Sequence, residues 1–328
     1  MSSAVKIGVL GCASIAERAM IPAILGHSGA ILAGVASRQR EKAKSFAERF
    51  GCHAYTSYDD LISSKDVDAI YLPLPTGLHL LWILKALHAG KHVFCEKSLA
   101  ANYQEASEIT DLAIKKNLVV KENYMFEYHR QQAEVIDLVN REVGDIRVFR
   151  AFFGFPPLEP NNFRYNRVLG GGALLDAGGY VLKAMSTFFP FAENRICSAI
   201  TTQDSVSGVD ISGAIAAEIE VDGVIIPAHL AYGFDHVYQC GVEFWGSKGK
   251  LTTNRTFTAG RDFMPSAFLV TDTGTETISL PKDDHFTNIL SDFLTSIREH
   301  RTLMEAKCIL KQAALQQSVR ELGLKKLP

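Results

Sequence analysis

Eleven residues near the start of the chain, Lys6 to Ala16 (KIGVLGCASIA), constrain the fold more than any other stretch. An apolar run, Ile7 to Leu10, ends at Gly11. A Cys-Ala-Ser turn follows, and Ile15-Ala16 then open an apolar-periodic segment. This order predicts a strand, a tight turn and a helix over about 15–26. Gly11, Cys12, Ala13, Ser14, Ile15 and Ala16 then fill the places of G-x-G-x-x-G/A, the fingerprint for a dinucleotide pyrophosphate. The first glycine makes the turn, and the small last residue lets helix and strand pack closely. The helix N-terminus offers N–H groups and a positive dipole end to phosphates. Ala13 weakens the motif, because a methyl group stands where the backbone must approach the ligand. A buried strand and small-residue turn without a ligand is the plainer alternative.

The next apolar run, Ala30 to Ala36, predicts a second strand, and a dinucleotide fold chooses its cofactor at the end of that strand. A carboxylate there would bond the free ribose 2′-OH of NAD and repel a 2′-phosphate. This chain has Ser37 and Arg38 instead, with Arg40 and Lys42 close behind. A hydroxyl and a planar guanidinium fork suit a 2′-phosphate, which points to NADP(H). The other reading of these charges is a solvated first helical turn.

Strands and helices continue to alternate: helix Glu41–Phe50, strand Ala69–Leu72, helix Leu78–Ala89, strand Lys91–Cys95, helix Tyr103–Lys116, strand Val119–Lys121. Such alternation predicts a parallel sheet with crossover helices. Ligands of such sheets sit beyond the strands' carboxyl ends. Leu74, Pro75 and Thr76 lie at one such end, and Glu96-Lys97 at another. His79 is grouped with the cofactor loop, although its plainer reading is a histidine on a helix surface.

The remaining composition excludes several classes of function. With 328 residues the chain is long enough for two cores, and 47% hydrophobic with 21% charged residues describes an ordinary globular protein. A net charge of -2 gives no electrostatic footprint for nucleic acid or anionic membrane. The N-terminus lacks an apolar signal region, and no run approaches a membrane span, so the expected location is cytoplasmic. Six scattered cysteines and ten dispersed histidines show neither a disulfide framework nor a metal-ligand spacing, and no metal is expected. Cys12 and Cys95 read as small buried hydrophobes.

The second half reads differently. Asn123 and Tyr124 open the tract ENYMFEYHRQ, a helix is expected over about 130–142, and a strand over Ile146–Gly154. Phe155 to Val168 is a long loop of Pro, Asn and aromatic residues carrying Arg164 and Arg167. Those arginines face either an anionic substrate part such as a diphosphate, or solvent. Gly170-Gly171-Gly172 precede a helix over Ala173–Phe188, where Asp176 and Tyr180 stand at i and i+4 and Lys183 three residues further on. A helical tyrosine is, by default, a core aromatic. From Ala199 to Leu280 short β runs predict an antiparallel meander, with a hairpin at Asp222-Gly223. Two helices, His285–Ile297 and Ala306–Gly323, end the chain. The expected division is a dinucleotide-binding domain over 1–122 and a substrate-binding and oligomerisation α/β domain over 123–328.

Taken together, GCASIA, Ser37-Arg38, AGKHVFCEKS and LGGGALLDAGGY resemble the Gfo/Idh/MocA oxidoreductase family in order and spacing, over essentially the whole chain. The resemblance implies an N-terminal Rossmann domain and a C-terminal domain with a large open, mainly antiparallel sheet, whose broad face makes a homo-dimer or homo-tetramer contact. The family's E-K-P signature reads Glu96-Lys97-Ser98 here, with the lysine retained and serine in the place of proline. Where many members carry Asp-x-x-x-His, this chain has Asp176 and Tyr180, and Lys183 stands where a further aspartate is common. Tyrosine at that place resembles the ketoreductases of nucleotide-linked deoxysugars, glucose–fructose oxidoreductase and dihydrodiol dehydrogenases alike. Lys183, PLPTGLH and GCASIA look most like the first group, the 3-ketoreductases of dTDP-linked 3,4-diketo-2,6-dideoxyglucose.

The implied activity is NADPH-dependent reduction of a keto group on a nucleotide-linked deoxysugar. Tyr180 and Lys97 form the proton-donor system, because a nearby ammonium lowers a phenol's pKa and eases donation. Gly11, Cys12, Ala13, Ser14, Ile15, Ser37, Arg38, Leu74, Pro75, Thr76, His79, Glu96 and Lys97 are assigned to the cofactor. Asn123, Tyr124, Arg164, Asp176, Tyr180 and Lys183 are assigned to the substrate. The alternatives are a dehydrogenase of a free sugar, polyol or trans-dihydrodiol, and a nucleotide-binding regulatory protein without turnover.

Overall fold

The computed structural model describes residues 4–323. The described residues form two compact units, one of 4–123 with 286–313 and the other of 124–285 with 314–323.

The first unit is built on β1 (Val5–Leu10), β2 (Ala30–Ala36), β3 (His53–Ala54), β4 (Ala69–Leu72), β5 (His92–Glu96) and β6 (Val120–Asn123). Its strand order is β3-β2-β1-β4-β5-β6, parallel throughout. The order reverses between β1 and β4, which makes a switch point at the carboxyl ends. Ile7, Val9, Leu10, Ala69 to Leu72 and Val93 to Cys95 are all buried, as expected of strands covered on both faces. The connecting helices are α1 (Ile21–Gly26), α2 (Arg40–Phe50), α3 (Tyr58–Ser63), α4 (His79–His88) and α5 (Tyr103–Lys116). Asn102 caps α5 by accepting from the Glu105 N–H at 2.9 Å, and Glu105 reaches back to the Ala101 N–H at 2.9 Å. The helix before α1 contains a widened π-type turn over Ala16–Met20. The Ile21 N–H reaches back to the Ala16 carbonyl, and Pro22 beyond it has no N–H to give Arg18 the ordinary bond.

The C-terminal helices divide differently from the sequence expectation. Residues 286–313, assigned to the second domain by reading, pack within the first unit. They comprise most of α8 (His285–Arg298) and the start of α9 (Thr302–Gly323). Phe293 stacks on Phe94 with centroids 5.0 Å apart, and Ile309 and Ala313 join the core beside Val93 and Val120. Lys121 on β6 is buried with its Nζ 2.7 Å from Asp292 and 2.8 Å from Glu305. An amphipathic helix shows that it needs a core but not which one.

The second unit carries β7 (Ile146–Gly154), β8 (Glu193–Gln203), β9 (Asp210–Val221), β10 (Val224–Gly233), β11 (Gln239–Gly246), β12 (Gly249–Thr253), β13 (Ser266–Thr271) and β14 (Gly274–Ser279). They form one sheet in the order β14-β13-β12-β11-β7-β10-β9-β8, antiparallel except where β7 and β10 run parallel. The Asp222-Gly223 hairpin turn has φ of 51° and 78°, as a type I′ turn requires. On one face Phe149, Phe153, Ile215, Leu230 and Phe244 pack with α6 (Gln131–Leu138) and α7 (Gly179–Phe188). The opposite face leaves Ile200 66% and Trp245 41% exposed. β8 is an edge strand that begins at Glu193, six residues before the β runs expected from Ala199; it pairs only with β9 among the described residues and is exposed along most of its length.

Candidate functional site

In the first unit the fingerprint turn has the geometry its sequence calls for. Gly11 has φ +123°, and a Cβ there would lie 2.7 Å from Leu74 Cδ2. Glycine therefore serves both the turn and the close packing of Leu74 over it. The Ala13 N–H donates to the Gly11 carbonyl at 3.0 Å and the Glu17 N–H to the Ala13 carbonyl at 3.1 Å, which starts the helix at Ser14. N–H groups of such a first turn have no intrahelical acceptor, and they are the donors a pyrophosphate uses. Burial pushes the Cys12 thiol up to about 11, against the opposing pull of Lys42, so it stays a neutral packing residue.

At the end of β2, Ser37 Oγ accepts from the Gln39 N–H at 3.2 Å and Arg38 is exposed. Arg38 also neighbours Tyr58, whose hydroxyl is raised by burial and pulled back by that guanidinium. Lys42 follows on the first turn of α2, facing Cys12. The donor set of a hydroxyl, a guanidinium and an ammonium fits a ribose 2′-phosphate.

Past β5, the Glu96 carboxylate accepts from the Tyr71 hydroxyl at 2.7 Å and from Asn123 Nδ2 at 2.6 Å. Burial raises the Glu96 pKa, while these donors and Lys97 hold it down. Asn123 is thus tied to Glu96 and fully buried, with its Oδ1 lacking a protein partner. The peptide joining Lys97 to Ser98 is cis. Thr76 is buried at the start of a short turn, and Pro75 caps it. His79 is a correction to the expected surface residue. It is completely buried and faces the carbonyl oxygens of Leu74, Ser98 and Leu99, so its ring nitrogens are spent within the protein.

In the second unit Tyr180 stands at the start of α7 inside an aromatic cage. Tyr124, Phe126, Phe153 and Phe257 surround it with centroids 5.4, 5.7, 5.2 and 5.6 Å away. Its hydroxyl lies 3.7 Å from Met125 Sδ. Four rings from three segments fix the phenol's direction, and only Tyr124 among them is singled out by sequence. Tyr124 is itself fully buried and packs its hydroxyl against Gly179, so it supports Tyr180 and presents no side chain to solvent.

The charged substrate candidates are also engaged. Asp176, in a widened turn over Leu174–Gly178, accepts from Arg164 Nε at 2.6 Å. Lys183 is buried with its Nζ 3.3 Å from Glu127. Arg164 and Lys183, assigned to the substrate from the sequence, thus each have an internal carboxylate partner. Arg167 remains exposed on the same loop. Asp210, missed by sequence, accepts from the Leu174 N–H at 2.6 Å and anchors that turn. No helix among the described residues is long and apolar enough to cross a membrane, and no group of three or more His, Cys, Asp or Glu among them is placed to hold a metal.

Residues 5–124 match the model of an oxidoreductase family with an NAD-binding Rossmann fold, and residues 130–252 match the GFO/IDH/MocA C-terminal domain. The chain belongs to the Gfo/Idh/MocA oxidoreductase family. Within that family it is 40% identical over 299 residues to a dTDP-3,4-didehydro-2,6-dideoxy-alpha-D-glucose 3-reductase of Saccharopolyspora spinosa, covering 91% of this chain and 89% of that one. It is 38% identical to the reductase of the same name from Streptomyces violaceoruber, with 97% and 95% covered. Among solved structures it is similar to KijD10, a 3-ketoreductase from Actinomadura kijaniata in complex with NADP and TDP-benzene. The TM-score is 0.92 at 34% identity, with 98% of each chain covered. Lysine-to-alanine and tyrosine-to-phenylalanine variants of KijD10 have also been solved with those ligands.

Proposed function

We propose that this chain is an NADPH-dependent ketoreductase that reduces a keto group on a dTDP-linked deoxysugar. The observation that carries this reading is the 40% and 38% identity to dTDP-sugar 3-reductases across more than nine-tenths of the chain. The Ser37-Arg38 pair at the end of β2 supports NADP over NAD on its own chemistry.

Bound NADPH supplies the hydride for the substrate's carbonyl carbon. The first-turn amides after Gly11 hold the pyrophosphate, and Ser37 with Arg38 holds the 2′-phosphate. The carbonyl oxygen gains negative charge and must receive a proton to become a hydroxyl. Tyr180 gives that proton from its hydroxyl, and the Lys97 ammonium stabilises the oxygen and the phenolate left behind. Four flanking rings keep water from the Tyr180 phenol and hold it in one orientation. Asp176 and Arg164 together orient substrate hydroxyl or phosphate groups. The exposed apolar face of the second unit's sheet joins a second copy, making a homo-dimer or homo-tetramer.

A thermal-shift titration with NADPH or NADH, each with and without dTDP, UDP, CDP and GDP, tests this reading. A ligand that binds only the folded chain adds about 2.7 kcal/mol at a hundredfold excess over its Kd. NADPH should stabilise more than NADH, and dTDP should add a further shift. A cofactor shift without any nucleotide effect moves the substrate to a free sugar, polyol or dihydrodiol. No shift with either cofactor contradicts the enzyme reading. Light scattering reports the oligomer directly.

A further inference from the structure

His79 begins α4 with an imidazole that has no exposed surface. Its Nε2 lies 2.7 Å from the Leu74 carbonyl oxygen, and its Nδ1 lies 3.0 and 3.1 Å from those of Ser98 and Leu99. All three neighbours are acceptors, so the ring serves them as a donor. Burial pushes the ring's pKa below its ordinary value, while the three carbonyls, and Glu105 on α5, push it back. Burial wins and the pKa is lowered overall; a neutral ring donates from the nitrogen its tautomer protonates, and only the imidazolium donates from both.

The carbonyls belong to segments with different duties. Leu74 follows β4, and its side chain packs over the Gly11 turn. Ser98 and Leu99 follow Lys97 directly, and the Leu99 N–H is held from the other side by Glu122 Oε1 at 2.7 Å. Two residues of backbone therefore separate the carbonyl at Leu99 from the Lys97 residue whose ammonium must be aimed. A misplacement of about 1 Å at a reacting group costs roughly 100-fold in rate.

We propose that His79 is a positioning residue with two separable arms: Nδ1 fixes the backbone that follows Lys97, and Nε2 fixes the Leu74 segment over the dinucleotide turn. The proposal rests on the roles given to Lys97 and the fingerprint turn above. It makes one buried ring responsible for both the aim of the lysine and the shape of the cofactor seat.

The arms are separated by substitution. The amide nitrogen of asparagine takes the place of Nδ1, and that of glutamine the place of Nε2. Hydrogen exchange of the ligand-free chain, NADPH affinity and turnover are measured for His79→Asn and His79→Gln. His79→Gln is expected to raise exchange over 97–101 and lower kcat about tenfold or more, with NADPH affinity nearly unchanged. His79→Asn is expected to raise exchange at Leu74 and Thr76, the two amides of 73–76, and weaken NADPH about tenfold, with 97–101 still protected. Parallel changes in both variants, or none, would overturn the proposal. Should either variant lose its cooperative thermal transition, Glu122→Ala decides, because it removes the other anchor of Leu99 and keeps the ring. It should loosen 97–101 and lower turnover while 73–76 and NADPH affinity hold; loosening of both segments, or unchanged turnover, overturns the two-arm division. Failure of the catalytic reading itself shows separately, as unchanged turnover in Lys97→Ala with the exchange pattern intact.

Discussion

Arg164 and Asp176, twelve residues apart, meet through a charge-assisted hydrogen bond of 2.6 Å between Nε and Oδ2. Their side chains are 30% and 17% exposed, so the pair is neither a surface contact nor a fully buried one. The loop and the widened turn before α7 are held together by it, and the guanidinium keeps only part of its donor fork for a ligand.

Arg164→Gln and Asp176→Asn should therefore each destabilise the chain, and their effects should fall short of additivity in the double variant. A double-mutant cycle from urea unfolding is expected to give a coupling of about 0.5–3 kcal/mol. Full additivity would mean that the two side chains act independently.

The 2′-phosphate seat proposed above predicts that Arg38 governs the choice of cofactor. Arg38→Ala removes a charged hydrogen-bond donor to the 2′-phosphate, worth about 1.5–3 kcal/mol, which is roughly a 10- to 100-fold loss of NADPH affinity with little change for NADH. Ser37→Asp should add repulsion and turn the preference toward NADH. Binding titrations with both cofactors check the two variants.

Lys121 joins the C-terminal return to β6. Its side chain is 4% exposed between Asp292 and Glu305, and Ser296 Oγ donates to Glu305 at 2.7 Å. Lys121→Ala takes the buried ammonium from Glu305 and leaves Asp292 with Arg301, 3.4 Å away, as its cation, and should cost about 3–5 kcal/mol. Replacing Asp292 and Glu305 by their amides in the same chain should recover much of the loss, as read by denaturant midpoints.

His285 sets part of the acid limit. Burial, with His129 at 5.7 Å between ring centroids, lowers its pKa from 6.5 to about 4. The folded chain therefore favours the neutral ring. Its contribution is complete above the unfolded value of 6.5 and is lost as pH falls from there toward about 4. Between about pH 7 and pH 5 the wild type should lose about 2 kcal/mol more than His285→Asn. Urea unfolding at the two pH values measures this difference.

The first unit was legible because its signals are local. A buried parallel strand is a short apolar run, and the motif residues Gly11, Ser37, Glu96 and Lys97 sit directly at strand ends. The start of the edge strand β8 was not legible, since Glu193–Gln203 has one face solvated and little buried on the other, and so shows no alternation. The Tyr180 cage was hidden for another reason. Phe126, Phe153 and Phe257 come from separate elements, and only the fold brings their rings around one phenol. His79 was placed on a helix surface because a first-turn position says nothing of the loops that cover it. The partners of Lys183 and Arg164, Glu127 and Asp176, are not legible in the sequence because tertiary packing chooses them.

The most direct measurement is the initial rate of NADPH oxidation with a dTDP-linked 3-keto deoxysugar, for the wild type, Tyr180→Phe and Lys97→Ala. One NADPH should be consumed per sugar reduced, with a rate about 100- to 10,000-fold lower in each variant and NADPH affinity near wild type in both. Equal rates in the three proteins, or no oxidation by the wild type at saturating NADPH, would contradict it.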